Sequence, residues 1–243
     1  MKHVLYFTSF VLSILYLPAI AQKESNKEII KTHASQGLSA DVGYRYPKFT
    51  QGQVYFKDGT RSTAHLNYNL FLGEMQFLDE KGDTLSVANE QDINYVAVAT
   101  DTFYLKKGVF EVSGDYAYVK LAMKQTLRYA DNEKIGAYGI PSSSASISSM
   151  SIVDNNQRSY KLGANENSVY AKEKFYFLIV KANNQVLPAT KQNVLKSFSR
   201  NRDRIEDFIS ANDIDFKSEA DLKKLLEFCS LEVGKEGTKK KKN

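Results

Sequence analysis

The chain has 243 residues, of which 42% are hydrophobic, 12% aromatic and 25% charged, a balance that excludes collagen-like, wholly disordered and multi-span membrane chains. Its formal net charge is +5, but the last nine residues, Lys235–Asn243, hold five Lys and one Glu. With the leader described below removed, the body 22–234 is near neutral, which argues against nucleic-acid binding, where cations cluster on a face of the fold.

The N-terminus reads as a signal peptide, residues 1–21. Lys2 and His3 give a short basic start, Val4 to Leu17 is apolar apart from Thr8, Ser9 and Ser13, and Pro18 breaks the run. The small residues Ala19 and Ala21 then fit a signal peptidase. A helix needs roughly 20 apolar residues to span a bilayer, and this run is shorter. An uncleaved N-terminal anchor is the alternative. With no Cys near the cut, a lipoprotein anchor is not expected. The mature chain would start at Gln22, be periplasmic or extracellular, and contain no transmembrane span. Cys229 is the one cysteine, so no intramolecular disulfide is possible, and the fold must rest on its core.

Residues 22–47 are polar and read as a flexible lead-in, with at most a helical turn near Ile29-Ile30. From about 48 the hydrophobic period is two. Ala64, Leu66, Tyr68 and Leu70 alternate with Thr63, His65, Asn67 and Asn69, as on a strand with one buried face. Val54 and Phe56 do the same, and Asp58-Gly59 between the two segments is a hairpin pair. Met75 and Phe77 form another strand, Lys81-Gly82-Asp83 turns the chain, and Leu85 and Val87 follow. Ile93 to Ala99 is apolar nearly throughout, which predicts a strand covered on both faces. Phe103–Leu105, Val109–Val112 and Tyr116–Met123 continue the series. Residues 124–160 read as a long loop, with seven serines among the ten residues Ser142–Ser151. It is either flexible or a ligand-covering or partner-binding loop. Phe175–Val180 is aromatic and β-branched and predicts a central strand.

After Pro188 the period becomes helical. Val194, Leu195 and Phe198 share one face, as do Ile205, Phe208 and Ile209, and Leu222, Leu225, Leu226 and Cys229. Ser218 with Asp221 resembles a helix cap. The fold class is therefore mainly β, an antiparallel sandwich, roll or barrel (48–187) with a short C-terminal helical segment (188–232), an α+β chain ending in a basic disordered tail (233–243).

Chemistry-bearing residues are sparse. Outside the leader only His33 and His65 remain, too few for a His-based metal site, and no metal or cofactor is expected. Cys229 lies on the apolar helical stripe and reads as a buried small hydrophobe. There is no Gly-x-Ser-x-Gly elbow, phosphate loop or dinucleotide fingerprint. Paired carboxylates from distant strands would still permit a glycosidase-type site. Four tyrosines are the candidate ligand-binding residues. Tyr116 and Tyr118 would share one face of a strand, and Tyr129 and Tyr138 lie in or near the long loop; exposed, such rings stack on sugars or peptides. The Lys239–Lys242 run is either solvated or attracted to anionic lipid or polysaccharide.

Leu66-Asn67-Tyr68-Asn69, Gly82-Asp83-Thr84-Leu85, Asp101-Thr102-Phe103-Tyr104 and Lys134-Ile135-Gly136-Ala137-Tyr138-Gly139 together resemble uncharacterised exported β-rich proteins of Bacteroidota-type bacteria. The resemblance spans roughly 48–230 and implies export, a β-rich body and a helical C-terminus; it supplies no site residue. The expected function is a non-catalytic exported binding or structural protein of the cell envelope or extracellular space. It would take an envelope protein or glycan through a β-sheet face or the 124–160 loop. The alternative is a carboxylate-based hydrolase acting on envelope or extracellular polymers.

Overall fold

A computed structural model describes residues 26–32, 40–135, 141–142, 152–155, 158–161 and 166–240. The first nine strands are β1 (Lys27–Thr32), β2 (Thr50–Phe56), β3 (Arg61–Asn69), β4 (Glu74–Leu78), β5 (Thr84–Ser86), β6 (Ile93–Val98), β7 (Asp101–Leu105), β8 (Val109–Asp115) and β9 (Val119–Ile135). A one-turn helix, α1 (Ala40–Gly43), precedes β2. Beyond β9 lie β10 (Pro141–Ser142), β11 (Ile152–Asn155), β12 (Arg158–Lys161), β13 (Glu166–Val180) and β14 (Gln185–Pro188). The chain closes with helices α2 (Lys191–Ser197), α3 (Arg202–Ala211) and α4 (Glu219–Lys240).

All strands but β11 and β12 belong to one antiparallel sheet of order β1-β13-β9-β8-β7-β6-β2-β3-β4-β5, with β10 beside β9 and β14 beside β13. The predicted mainly β fold with C-terminal helices is what forms. The long pair β9–β13 is its spine, and one face of that spine serves two cores. Near the β8–β9 turn, Val119, Leu121, Met123, Tyr176 and Leu178 pack under the helices, against Leu195, Phe198, Ile205, Leu225, Leu226 and Cys229. Further along the same face, Leu127 and Tyr170 join Leu66, Tyr68, Leu70, Val96, Phe103 and Val109. The sheet thus rolls back on itself. At the closure Leu127 N–H donates to Leu70 O at 2.9 Å, and the Tyr68 hydroxyl donates to Gln125 O at 2.6 Å.

Several segments differ from the sequence reading. Residues 27–32, read as mobile with a helical turn at Ile29-Ile30, form β1, paired along its length with β13; backbone pairing to an existing strand outweighs polar composition. Residues 124–135, read as loop, continue β9. Gln125 hid the pattern, because a buried polar residue stands where the alternation calls for an apolar one. Most of the serine run lies outside the described residues. Tyr116–Tyr118 is not strand but the turn joining β8 to β9. Asn67, expected on the polar face, is buried because its side chain brackets the Tyr46 backbone, accepting from N–H at 3.1 Å and donating to C=O at 2.9 Å. The tail is helical to Lys240, since Val233 packs on the helical core and Glu232 is held by Arg204 and Lys235. Ser218 caps α4 as expected, accepting from Asp221 N–H at 3.2 Å.

Candidate functional site: an aromatic row across the sheet

Alternation gives every strand a second face. On β9 it carries Lys120, Ala122 and Lys124, and on β13 Phe175, Phe177 and Ile179, each opposite its partner across the pair. Tyr104, Phe110, Ala122 and Ile179 form a buried cluster there, flanked by Tyr95, Val112, Phe177 and Val186. Every member belongs to the one sheet, so among the described residues no second layer covers this face.

A register row organises it. Arg61 of β3 lies opposite Tyr55 of β2, and Tyr55 opposite Tyr95 of β6. The Tyr55 and Tyr95 rings stack with centroids 4.5 Å apart and planes 21° from parallel. Tyr95 meets Tyr104 of β7 at 6.3 Å, and Tyr104 lies opposite Phe110 of β8. Lys124 of β9 sets its ammonium 6.0 Å from the Phe110 ring centre and lies opposite Phe175 of β13. Phe177 closes the row edge-on to Phe110 at 4.9 Å. Seven adjacent strands thus contribute one residue each, apart from β13, which contributes Phe175 and Phe177. At roughly 4.8 Å per strand the row runs for about 29 Å.

Local sequence explains the arrangement. Tyr55 alternates with inward Val54, Tyr104 with inward Phe103 and Leu105, and Phe175 and Phe177 with inward Tyr176. Gly108, at φ 138° in the β7–β8 turn, adopts a backbone that other residues rarely take, and the Lys124 ammonium lies close over it. Tyr104 and Phe110 are 9% and 6% exposed and form the floor, whereas Phe175 is 46% exposed. Tyr55, Tyr95 and Phe177 are half-buried, which leaves ring edges and faces for a ligand. Strand β6, expected to be covered on both faces, is covered on one.

The tyrosines singled out from sequence are not on this row. Tyr116 packs on the helical core, and burial raises its phenol to about 12, with smaller contributions from Glu227 and Glu219. Tyr118, 42% exposed, leans on Phe198 at 5.5 Å beside a groove of about 410 Å³ that Lys181 and Arg200 also line. Tyr129, 38% exposed, stands edge-on to Tyr170 at 5.7 Å on the opposite face of the spine. Tyr138, Ala19 and Ala21 lie outside the described residues. The row is hidden in the sequence because its aromatics sit in strands whose inward residues are also apolar, so alternation does not set them apart.

The charged groups nearest a two-carboxylate arrangement are Asp101 and Glu111. Both contact Arg45 Nη2, at 3.4 and 2.9 Å, so their facing oxygens lie no more than about 6 Å apart. Arg45 also donates from Nε to Glu111 at 2.8 Å, a bidentate pair, and Asp101 accepts the Tyr46 hydroxyl at 2.6 Å. Burial, and then that hydrogen bond to Asp101, holds the Tyr46 phenol well above the ordinary tyrosine range. Both carboxylates are committed to structural partners at the seam between the cores. His65 is exposed on the surface, Cys229 is buried with its thiol pushed up to about 12 by burial, and no cluster of metal-ligating side chains occurs among the described residues. No described helix is long and apolar enough to cross a membrane. Comparison with protein-family models, curated proteins and solved structures finds no match.

Proposed function

We propose that this is an exported, non-catalytic binding protein of the cell envelope or extracellular space, and that its ligand surface is the second face of the sheet. The observation that carries the reading is the row Tyr55–Tyr95–Tyr104–Phe110, extended by Phe175 and Phe177, on a face that no described element covers. Half-buried rings over a buried aromatic floor, with Phe175 exposed beside them, offer the kind of apolar surface that serves for interaction. Tyrosines add to it a rigid ring with a hydrogen-bonding hydroxyl at its edge. The leader-like N-terminus supports export, and the commitment of Asp101 and Glu111 to Arg45 favours binding over hydrolysis.

The test uses protein recovered from the exported fraction with Gln22 as its first residue, co-sedimented with a bacterial envelope preparation. Tyr55→Ala combined with Tyr95→Ala lowers affinity about tenfold, the loss expected for two aromatic contacts, while circular dichroism stays unchanged. Equal binding by wild type and variant rejects the face. Turnover of glycans, esters or peptides by the wild type rejects the non-catalytic reading.

A further inference from the structure

The row is not purely aromatic. Arg61 stands at one end, and Lys124 lies between Phe110 and Phe175. Neither has a carboxylate partner among the described residues, whereas nearby charges do. Asp115 is shared by Lys120 and Lys181, and Glu173 by Arg128 and Lys27. The acids at the Lys124–Phe175 end of this face, Asp115 and Glu173, are therefore neutralised, and the two cations on the row, which no described carboxylate pairs, are left to attract an outside anion. They are separated by the rings of Tyr55, Tyr95, Tyr104 and Phe110, five strand spacings in all, or about 24 Å.

That alternation selects a ligand chemistry. The flat apolar faces of sugar rings stack on aromatics, and their hydroxyls suit the tyrosine edges and the nearby Gln53 amide, which accepts from the Tyr55 hydroxyl at 2.5 Å. A row this long takes several units of a chain, not a monosaccharide. Two widely spaced cations match a polymer with acid groups at intervals. A single-stranded nucleic acid, with a phosphate at every unit, calls for a denser cationic groove than a near-neutral body provides.

We infer that the ligand of this face is an acidic polysaccharide, bearing carboxylate or sulfate groups, laid across the strands along the row from Arg61 to Phe175. This rests on the face proposed above as the binding surface, and adds the class of polymer and its direction of binding.

The experiment measures binding of the full mature chain to polygalacturonate, alginate and chondroitin sulfate. Fully methyl-esterified polygalacturonate, and chondroitin both desulfated and methyl-esterified at its uronates, are the uncharged counterparts, and oligo-dT is a polyanion that offers bases and not sugar rings for stacking. The wild type binds at least one acidic glycan about tenfold more tightly than its uncharged counterpart, the size expected of two surface charge pairs, and the preference shrinks at high salt. Arg61→Gln with Lys124→Gln removes the preference, so that charged and uncharged forms bind alike. Tyr55→Ala with Tyr95→Ala weakens both forms alike. Equal affinity for charged and uncharged forms, no binding to any acidic glycan, or tighter binding of oligo-dT overturns the inference. If the tyrosine pair matters and the charge does not, the face stands and the polymer class falls. If the tyrosine pair has no effect on glycan binding, the face itself falls.

Discussion

Arg45 holds the seam between the two cores. Its guanidinium makes a bidentate pair with Glu111, while its backbone N–H donates to Tyr68 O at 2.9 Å. The Glu111 hydrogen bond is the largest influence on the guanidinium, and it holds Arg45 firmly in its charged form. Glu111 is a buried carboxylate whose other contact is the Gln125 amide at 3.4 Å. Removing the arginine strands that charge. Arg45→Met should therefore cost about 3 kcal/mol in urea denaturation, far more than an exposed ion pair is worth. Lys223→Met, which breaks the partly exposed one-turn pair with Glu219, serves as the control and should cost less than about 1 kcal/mol. Equal losses in the two variants would show that the seam contributes no special stability.

Among the elements, β2 depends on one close approach. Gly52 lies between Ala64 of β3 and Val98 of β6, and a Cβ on it would sit 2.5 Å from the Ala97 carbonyl oxygen. That oxygen is backbone, fixed in the sheet, and has no rotamer with which to escape. Gly52→Ala must push β2 away from β6 at an estimated cost of about 1–3 kcal/mol. The same displacement separates Tyr55 from Tyr95, so binding at the row should weaken in step with stability. A variant of wild-type stability, measured by thermal denaturation, would contradict this packing.

At the scale of the whole molecule, one sheet face is shared by the helical core and the rolled core. Leu121 and Leu178 lie in the first, Leu127 and Tyr170 in the second, all on the β9–β13 pair. Neither core can be exposed without fraying the strands that build the other. Far-UV dichroism at helix wavelengths and tyrosine fluorescence, which reports mainly on the sheet, should trace one coincident transition in urea. Leu226→Ala, emptying a buried site under the helices, should shift both probes together by about 2–5 kcal/mol. Two separated transitions would mean that the helices form an independent unit.

Much of this was legible in the sequence. Period-two alternation marked the strands at Val54, Leu66–Leu70 and Phe103–Leu105, and 3.6-residue spacing marked the helical stripe ending at Cys229, because side-chain direction follows directly from backbone geometry. Alternation also determines that Tyr55 and Val54 face opposite ways. It does not determine which strands become neighbours or which face another layer will cover. Those depend on long-range pairing, here the order that sets β6 beside β2 and β8 beside β9. Tyr116 and Tyr118 therefore stood out as ligand contacts, while nothing in the alternation set Tyr55, Tyr95 and Phe110 apart. Only the tertiary structure brought Arg61, Lys124 and the rings between them into one line, since contacts between residues far apart in the chain exist only once the sheet has closed its register.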